Sequence, residues 1–259
     1  MNIGIIGTGN IASYLLEQVN VSGLADEKVL AIFGRNQEAG TRLSERFGAD
    51  FFTDLRGFLE QPLDIVVEAA TVEAAALYLE AVVTAKKDLV VSSIGVFKNA
   101  DFLDRVKGLA KTAGTHIFLP SGAIGGLDLL QSAKAAGGLE RVSITTRKSP
   151  ASLGMESDEE SVLFDGSAFD AVEKFPKNVN VAMVLAIAGI GADKTNVRVI
   201  VDPDVEQNSH TIEAEGVFGR MELRVENNPM PDNPKTSLLA ALSILAVLQN
   251  RSRALQIGN

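Results

Sequence analysis

The residues best suited to chemistry fall in two parts of this chain. Near its start, Gly7-Thr8-Gly9-Asn10-Ile11-Ala12 joins an apolar run, Asn2 to Ile6, to a helical pattern. In such a G-x-G-x-x-A the first glycine permits a tight turn out of a strand, and the second lets the backbone approach a pyrophosphate. The small Ala12 lets the helix pack close, so that its first amides, at Asn10 and Ile11, meet the phosphates. A glycine turn without a ligand is the competing reading. The strand-to-helix setting and a second strand at the expected distance favour a dinucleotide. The other group lies in the later half, around Gln207-Asn208-Ser209-His210-Thr211-Ile212. An imidazole there can exchange a proton near neutral pH with an amine, an imine or a water. Lone histidines in strands are more often structural, so His210 by itself leaves both readings open. The second histidine, His116 in Thr115-His116-Ile117-Phe118, reads as the start of a buried strand.

Two further stretches carry polar residues in unusual places. Asn178 and Asn180 precede an apolar helix, where capping explains one of them but not both. The surplus amide is a candidate for holding a nicotinamide carboxamide or a substrate. Ser121-Gly122-Ala123 lies just past the carboxyl end of a predicted parallel strand, the edge at which doubly wound folds bind ligands. The second strand ends Ile32-Phe33-Gly34-Arg35-Asn36, with glycine where an acid would hold the ribose 2'-hydroxyl of NAD. Without the acid a 2'-phosphate is not repelled, and Arg35 offers it a planar donor fork. The cofactor is therefore expected to be NADP or NAD, with NADP slightly favoured. Arg35 as a plain exposed loop charge is the alternative.

Composition narrows the possibilities. The 259 residues are 46% hydrophobic and 22% charged, enough to fill one large or two modest cores. A net charge of -9, without a basic tract, argues against nucleic acid as a partner. With no cysteine, disulfides, thiolate catalysis and Cys-based zinc sites are excluded, and no metal site is expected. The apolar opening is interrupted by glycines and reads as a strand rather than a secretory signal, and the run from Val179 to Ile190 is too short to span a bilayer. A cytoplasmic protein with no membrane partner is expected.

The elements that must position these residues alternate in type through the first half. Strands are predicted at Asn2 to Ile6, Lys28 to Gly34, Asp64 to Ala69, Leu89 to Ser92 and Ile117 to Leu119. Helices lie between them near Ile11 to Val19, Gln37 to Phe47, Val72 to Ala85 (capped by Thr71) and Ala100 to Thr112. This rhythm predicts an α/β Rossmann-type doubly wound parallel sheet over 1–121. After Pro120 the pattern changes. Strands at Arg141 to Arg147, Asn196 to Val201, Ser209 to Ala214 and Arg220 to Val225, with helices near Ile124 to Ala136, Ser167 to Phe175 and Val179 to Ile190, predict an α+β mixed-sheet domain over 122–232. That domain is expected to carry the substrate and a dimer contact. A last helix over 233–259 is predicted to start at Asn233-Pro234-Lys235-Thr236-Ser237, with Asn as N-cap and Pro in the first turn, and to return to the nucleotide domain.

Taken together, these residues resemble the L-aspartate dehydrogenase family over nearly the whole chain. The resemblance rests on Gly7-x-Gly9-x-x-Ala12, Glu68-Ala69-Ala70, Pro120-Ser121-Gly122-Ala123 through Asp128, and Thr146-Arg147-Lys148. It continues through Phe164-x-Gly166-x-Ala168 to Asn180-Val181-Ala182, Asn208-x-His210, and Asn233-Pro234-Lys235-Thr236-Ser237. It implies NAD(P)-dependent oxidation of L-aspartate to iminosuccinate, which hydrolyses to oxaloacetate and ammonia or feeds NAD biosynthesis, and it implies a homodimer. It implies further that His210 is the active-site residue and that Ala123 and Asn180 touch the cofactor, and Ala69 and Ala70 are also taken as cofactor-binding. Two departures stand out: Gly34 replaces the acid many members keep, and Ser149 stands where members often show proline. A substrate with two carboxylates needs donors; Lys235, Thr236 and Ser237 form one candidate site, Lys148 and Lys177 others. Each lysine equally reads as a surface charge. The rival functions are a dehydrogenase or reductase acting on another amino acid, a semialdehyde or a cyclic imine, and a non-catalytic NAD(P) sensor.

Overall fold

The computed structural model describes residues 1–23, 27–135, 137–175, 180–231, 233–255 and 257, with backbone alone at 234 and 235. The chain divides into two compact units, residues 1–120 with 244–254, and residues 121–243 with 255–259.

In the first unit the order is β1 (Asn2–Ile6), α1 (Asn10–Leu16), β2 (Lys28–Phe33), α2 (Gln37–Phe47), β3 (Asp50–Phe52), α3 (Leu55–Leu59), β4 (Ile65–Glu68), α4 (Val72–Thr84), β5 (Asp88–Val91), α5 (Ala100–Ala113) and β6 (Ile117–Phe118). The six strands are all parallel and lie in the order β3-β2-β1-β4-β5-β6. This is the doubly wound order, whose strand sequence reverses beside β1 and opens a crevice at the carboxyl edge. Its central strands are apolar on both faces because helices cover both. Ile3, Ile5, Val29, Ile32, Ile65 and Val67 are buried together with Leu15, Leu16 and Leu43 from α1 and α2. Helix starts follow the sequence chemistry. Asn36, Asp54, Thr71 and Asn99 each cap a helix by accepting from a backbone amide three residues on.

The second unit contains α6 (Leu127–Ala135), β7 (Leu139–Lys148), α7 (Pro150–Leu153), β8 (Ser161–Ser167), α8 (Ala168–Lys174), α9 (Asn180–Ala188), β9 (Asn196–Val201), β10 (Asn208–Gly216), β11 (Gly219–Asn227), β12 (Pro229–Met230) and β13 (Asn233–Ser237). Its main sheet runs β11-β10-β7-β9-β8 and is mixed, with β7 and β9 parallel and the other pairs antiparallel. One face buries Val142, Ile144, Ile212, Ala214, Val197 and Val199, and the apolar helix α9 is buried nearly all round. The other face carries charge. Arg220 pairs with Glu213, Arg224 with Glu226, Arg198 with Asp165 and Arg141 with Glu215.

The segment read as a helix start at 233–237 is instead strand β13, paired antiparallel with β12, and α10 (Leu238–Ser252) begins only after it. Asn-Pro favours a helix start locally, but pairing with Pro229 and Met230 overrides it. Ile244, Leu245 and Leu248 of α10 complete the first unit's core beside Ile3 and Val29. His116 is corrected too. Its side chain is exposed beside Asp88, and the strand it precedes is only two residues long. Among the described residues no helix is long and apolar enough to cross a membrane, and no group of three metal-ligating side chains occurs.

Candidate active site

The first unit carries a glycine-rich turn and a pocket at its carboxyl edge. Gly7 has φ +125°, a backbone that side chains rarely adopt, and a Cβ there would lie 2.4 Å from the Ala69 carbonyl oxygen. The close approach is fixed by two ladder bonds, Gly7 N–H to the Phe33 carbonyl at 2.8 Å and Ala69 N–H to the Ile6 carbonyl at 2.8 Å. Gly9 is the N-cap of α1, and a Cβ built on it meets nothing within 4 Å. Its lack of a side chain thus serves open space in front of the helix amides of Asn10 and Ile11, as a bound pyrophosphate requires. Beside this turn lies a pocket of about 310 Å³ lined by Gly7, Thr8, Gly9, Gly34, Arg35, Ala69, Ala70, Thr71 and Tyr78. The expected residues Gly7, Gly9, Arg35, Ala69 and Ala70 are therefore brought together. Thr8, Thr71 and Tyr78 join them without having been singled out as ligand contacts from the sequence.

Glu68, at the end of β4, is fully buried behind the pocket. Its carboxyl accepts from Ala70 N–H at 2.9 Å, Ser93 N–H at 2.9 Å and the Ser93 hydroxyl at 2.8 Å. Burial raises its pKa above the ordinary carboxylate value, and the amide and hydroxyl donors pull it back. The group ties the loop after β4 to the loop after β5, holding two walls of the ligand edge in register.

The second unit gathers a polar cluster at one end of its sheet. Antiparallel pairing sets His210 opposite Thr146, and the alternation of side chains along a strand puts Lys148 and Asn208 on the same face. The Thr146 hydroxyl lies 2.9 Å from His210 Nδ1. His210 is only 4% exposed and Lys148 6%. Burial, with a smaller push from the Lys148 ammonium, lowers the His210 pKa from 6.5 to about 3. Burial alone brings Lys148 down to about 8. Proton exchange near neutrality, expected for His210 from its type, is thus modified: the ring is neutral at pH 7, and of the two groups it is Lys148 that titrates nearer neutrality. Among the described residues, the Asn208 side-chain oxygen is buried without a hydrogen-bond partner. An orphaned acceptor beside a neutral imidazole and a buried cation fits a ligand carrying both N–H and carboxylate groups.

The remaining candidates are placed as follows. Ala123 is buried, and its carbonyl accepts from Asn227 Nδ2 at 3.0 Å. Asn227 in turn accepts from the Ser237 hydroxyl at 2.6 Å, which also accepts from Leu239 N–H at 3.2 Å. Ser237 therefore braces the chain entering α10, and the Thr236 hydroxyl accepts from Asn233 Nδ2 at 3.0 Å. The anion site expected at a helix start on 235–237 lacks that helix start, because these residues form β13. Lys235 is described by its backbone alone, while Lys177 and Asn178 lie outside the described residues. Asn180 is the first residue of α9, and Ser149 caps α7 by accepting from Ser152 N–H at 3.3 Å.

Comparison with known proteins fits both halves. Residues 7–120 match the homoserine dehydrogenase NAD-binding domain, and residues 128–251 match the C-terminal domain of aspartate dehydrogenase. L-aspartate dehydrogenases of Archaeoglobus fulgidus and Methanococcoides burtonii are each 39% identical to the chain, covering 99% and 100% of it and 100% and 99% of their own lengths. A crystal structure of aspartate dehydrogenase from Thermotoga maritima superposes with a TM-score of 0.83 at 29% identity, over 100% of this chain and 99% of that one. GenD2 from gentamicin A biosynthesis, solved with NAD, shares the fold at a TM-score of 0.56 and 14% identity, over 100% of this chain and 88% of its own.

Proposed function

The chain belongs to the L-aspartate dehydrogenase family, and on that premise we propose that it oxidises L-aspartate to iminosuccinate, which water converts to oxaloacetate and ammonia. The observation that carries the reading is the buried His210–Thr146 pair, with Lys148 and the unpartnered Asn208 oxygen on the same sheet face. Gly7, Gly9, Asn10, Ile11, Arg35, Ala69 and Ala70 would hold the dinucleotide, and by family resemblance Ala123 and Asn180 would touch it. Bound there, the nicotinamide supplies the hydride acceptor for the amino acid's α-hydrogen.

The chain's own part is positioning and proton handling. Lys148 meets a substrate carboxylate as a buried cation, where a charge-assisted bond is strong. The Asn208 oxygen accepts an N–H of the amine. With Nδ1 held against Thr146, His210 turns Nε2 to the substrate, where a neutral ring offers its lone pair to the amine N–H or to the water that attacks the imine. Thr146 keeps that ring from rotating, so much of the rate comes from holding the reacting groups in place.

Gly34 and the exposed Arg35 support NADP as the slightly preferred cofactor, with NAD tolerated. The family resemblance implies a homodimer, and size measurement in solution tests it. A cytoplasmic role supplying iminosuccinate to NAD biosynthesis completes the reading. The test of the activity is a panel of amino acids with NAD+ and with NADP+, followed by absorbance of the reduced cofactor. Turnover confined to L-aspartate supports it; turnover of another amino acid, or cofactor binding with no turnover at all, overturns it.

A further inference from the structure

Gly34 is a glycine for a reason its backbone does not supply. Its N–H continues the β2–β3 ladder, donating to the Phe52 carbonyl at 3.1 Å, and it is absent from the positive-φ glycines of the chain. Any residue could adopt that conformation. What excludes a side chain is Thr8, the residue between the two glycines of the phosphate turn. A Cβ built on Gly34 would lie 2.8 Å from the Thr8 γ-methyl, with the Thr8 hydroxyl oxygen and a Phe51 ring carbon each at 3.8 Å. Real Cβ contacts are essentially never that short, so Thr8 must turn aside before any side chain fits at 34. Both residues line the same 310 Å³ pocket as Arg35.

We propose that Thr8 and Gly34 form a steric interlock that sets which ribose the site accepts, making Thr8 a specificity-determining residue. The interlock rests on the reading of this turn as a nucleotide site. A carboxylate from the end of β2 is the group that would select an unmodified ribose by accepting from its 2'-hydroxyl. By filling the volume such a side chain needs, the Thr8 methyl keeps the acid out. The corner is left to the Thr8 hydroxyl and the Arg35 guanidinium, both able to donate to a 2'-phosphate. Specificity is thus written in two residues 26 positions apart, and an acid at 34 requires Thr8 to move or to change as well.

Gly34→Asp, Thr8→Ala, the double variant, and Thr8→Ser with Gly34→Asp test this, through NADH and NADPH dissociation constants read from nucleotide fluorescence and through the Tm of the unliganded protein. Gly34→Asp alone weakens NADPH by about tenfold or more while failing to tighten NADH, whereas adding Thr8→Ala or Thr8→Ser tightens NADH by about tenfold over the single variant. The single variant also melts lower than wild type, and removing the Thr8 methyl restores part of the loss. If Gly34→Asp does not fold, Gly34→Ala with and without Thr8→Ala reads the same clash by melting. Gly34→Asp alone gaining NADH as fully as the doubles, with an unchanged Tm, overturns the interlock. Wild-type protein that binds neither nucleotide overturns the underlying site reading instead, and the unliganded melting series still decides whether the two residues clash.

Discussion

The neutral His210 ring gives the sharpest physical prediction. Its pKa is lowered from 6.5 to about 3, first by burial and then by Lys148, and at about 1.4 kcal/mol per unit this is a preference of about 5 kcal/mol for the neutral form. In the unfolded chain the ring takes a proton below about 6.5, while in the folded chain it resists until about 3. Between those values the unfolded state binds more protons. The His210 contribution to stability is therefore complete above 6.5 and is lost progressively as the pH falls towards 3. The chain has only two histidines, so in a His116→Gln background a single imidazole remains to be followed by NMR. The expected spectrum is one whose ring shifts stay those of a neutral imidazole from pH 7 down to 4.5. Lys148→Met in the same background raises the ring's pKa, because it removes a repelling charge, yet leaves it below 6.5, because burial is the larger cause. A ring that titrates near 6.5 in the otherwise unaltered protein refutes the buried neutral base, and with it the reason given for Thr146 and Lys148 standing beside it.

Three further outcomes follow from the same geometry. Lys148→Met raises KM for L-aspartate by about 10- to 100-fold, from loss of a charge-assisted bond worth about 1.5–3 kcal/mol, while the Kd for the nucleotide stays unchanged; steady-state kinetics and fluorescence titration check both. Arg35→Ala weakens NADPH more than NADH, and equal effects on the two in parallel titrations remove Arg35 from cofactor choice. Glu68→Gln keeps one acceptor oxygen and sets an amide NH2 against one of the two backbone donors that now meet a carboxyl, at a cost of about 1–3 kcal/mol. It lowers the Tm and nucleotide affinity together, as calorimetry with and without nucleotide would show.

The parts of this fold legible in the sequence are those written in local patterns. Asn2–Ile6, Gln37–Phe47 and Asn196–Val201 stand out by apolar runs or helical spacing bounded by Gly, Asn or Asp, and Thr71 marks the start of α4 by its own hydroxyl. Strand β3 is hidden by its three-residue length. Strand β8 is hidden because Gly166 interrupts it and none of its residues is fully buried, which leaves no alternating signal. At 233–237 the local signal pointed the wrong way, since β13 exists only through its partner β12. The site divides in the same manner. Gly7 and Gly9 are readable because one turn contains the whole constraint. The Thr8–Gly34 contact and the Thr146–His210 pair depend on strand register between distant segments, and the low pKa of His210 depends on everything packed around it. Residue type left His210 open between a structural and a chemical role, and only its surroundings determine its protonation state.

The most direct measurement follows the hydrogen itself. L-Aspartate deuterated at the α-carbon is turned over with NADP+ or NAD+, and the reduced cofactor is examined by mass spectrometry and NMR. The expected result is deuterium at C4 of the reduced nicotinamide, with His210→Ala transferring it at least about 100-fold more slowly while binding the nucleotide normally, as removal of a positioned acid–base group would do. Reduced cofactor without deuterium, or undiminished transfer by His210→Ala, would contradict the account.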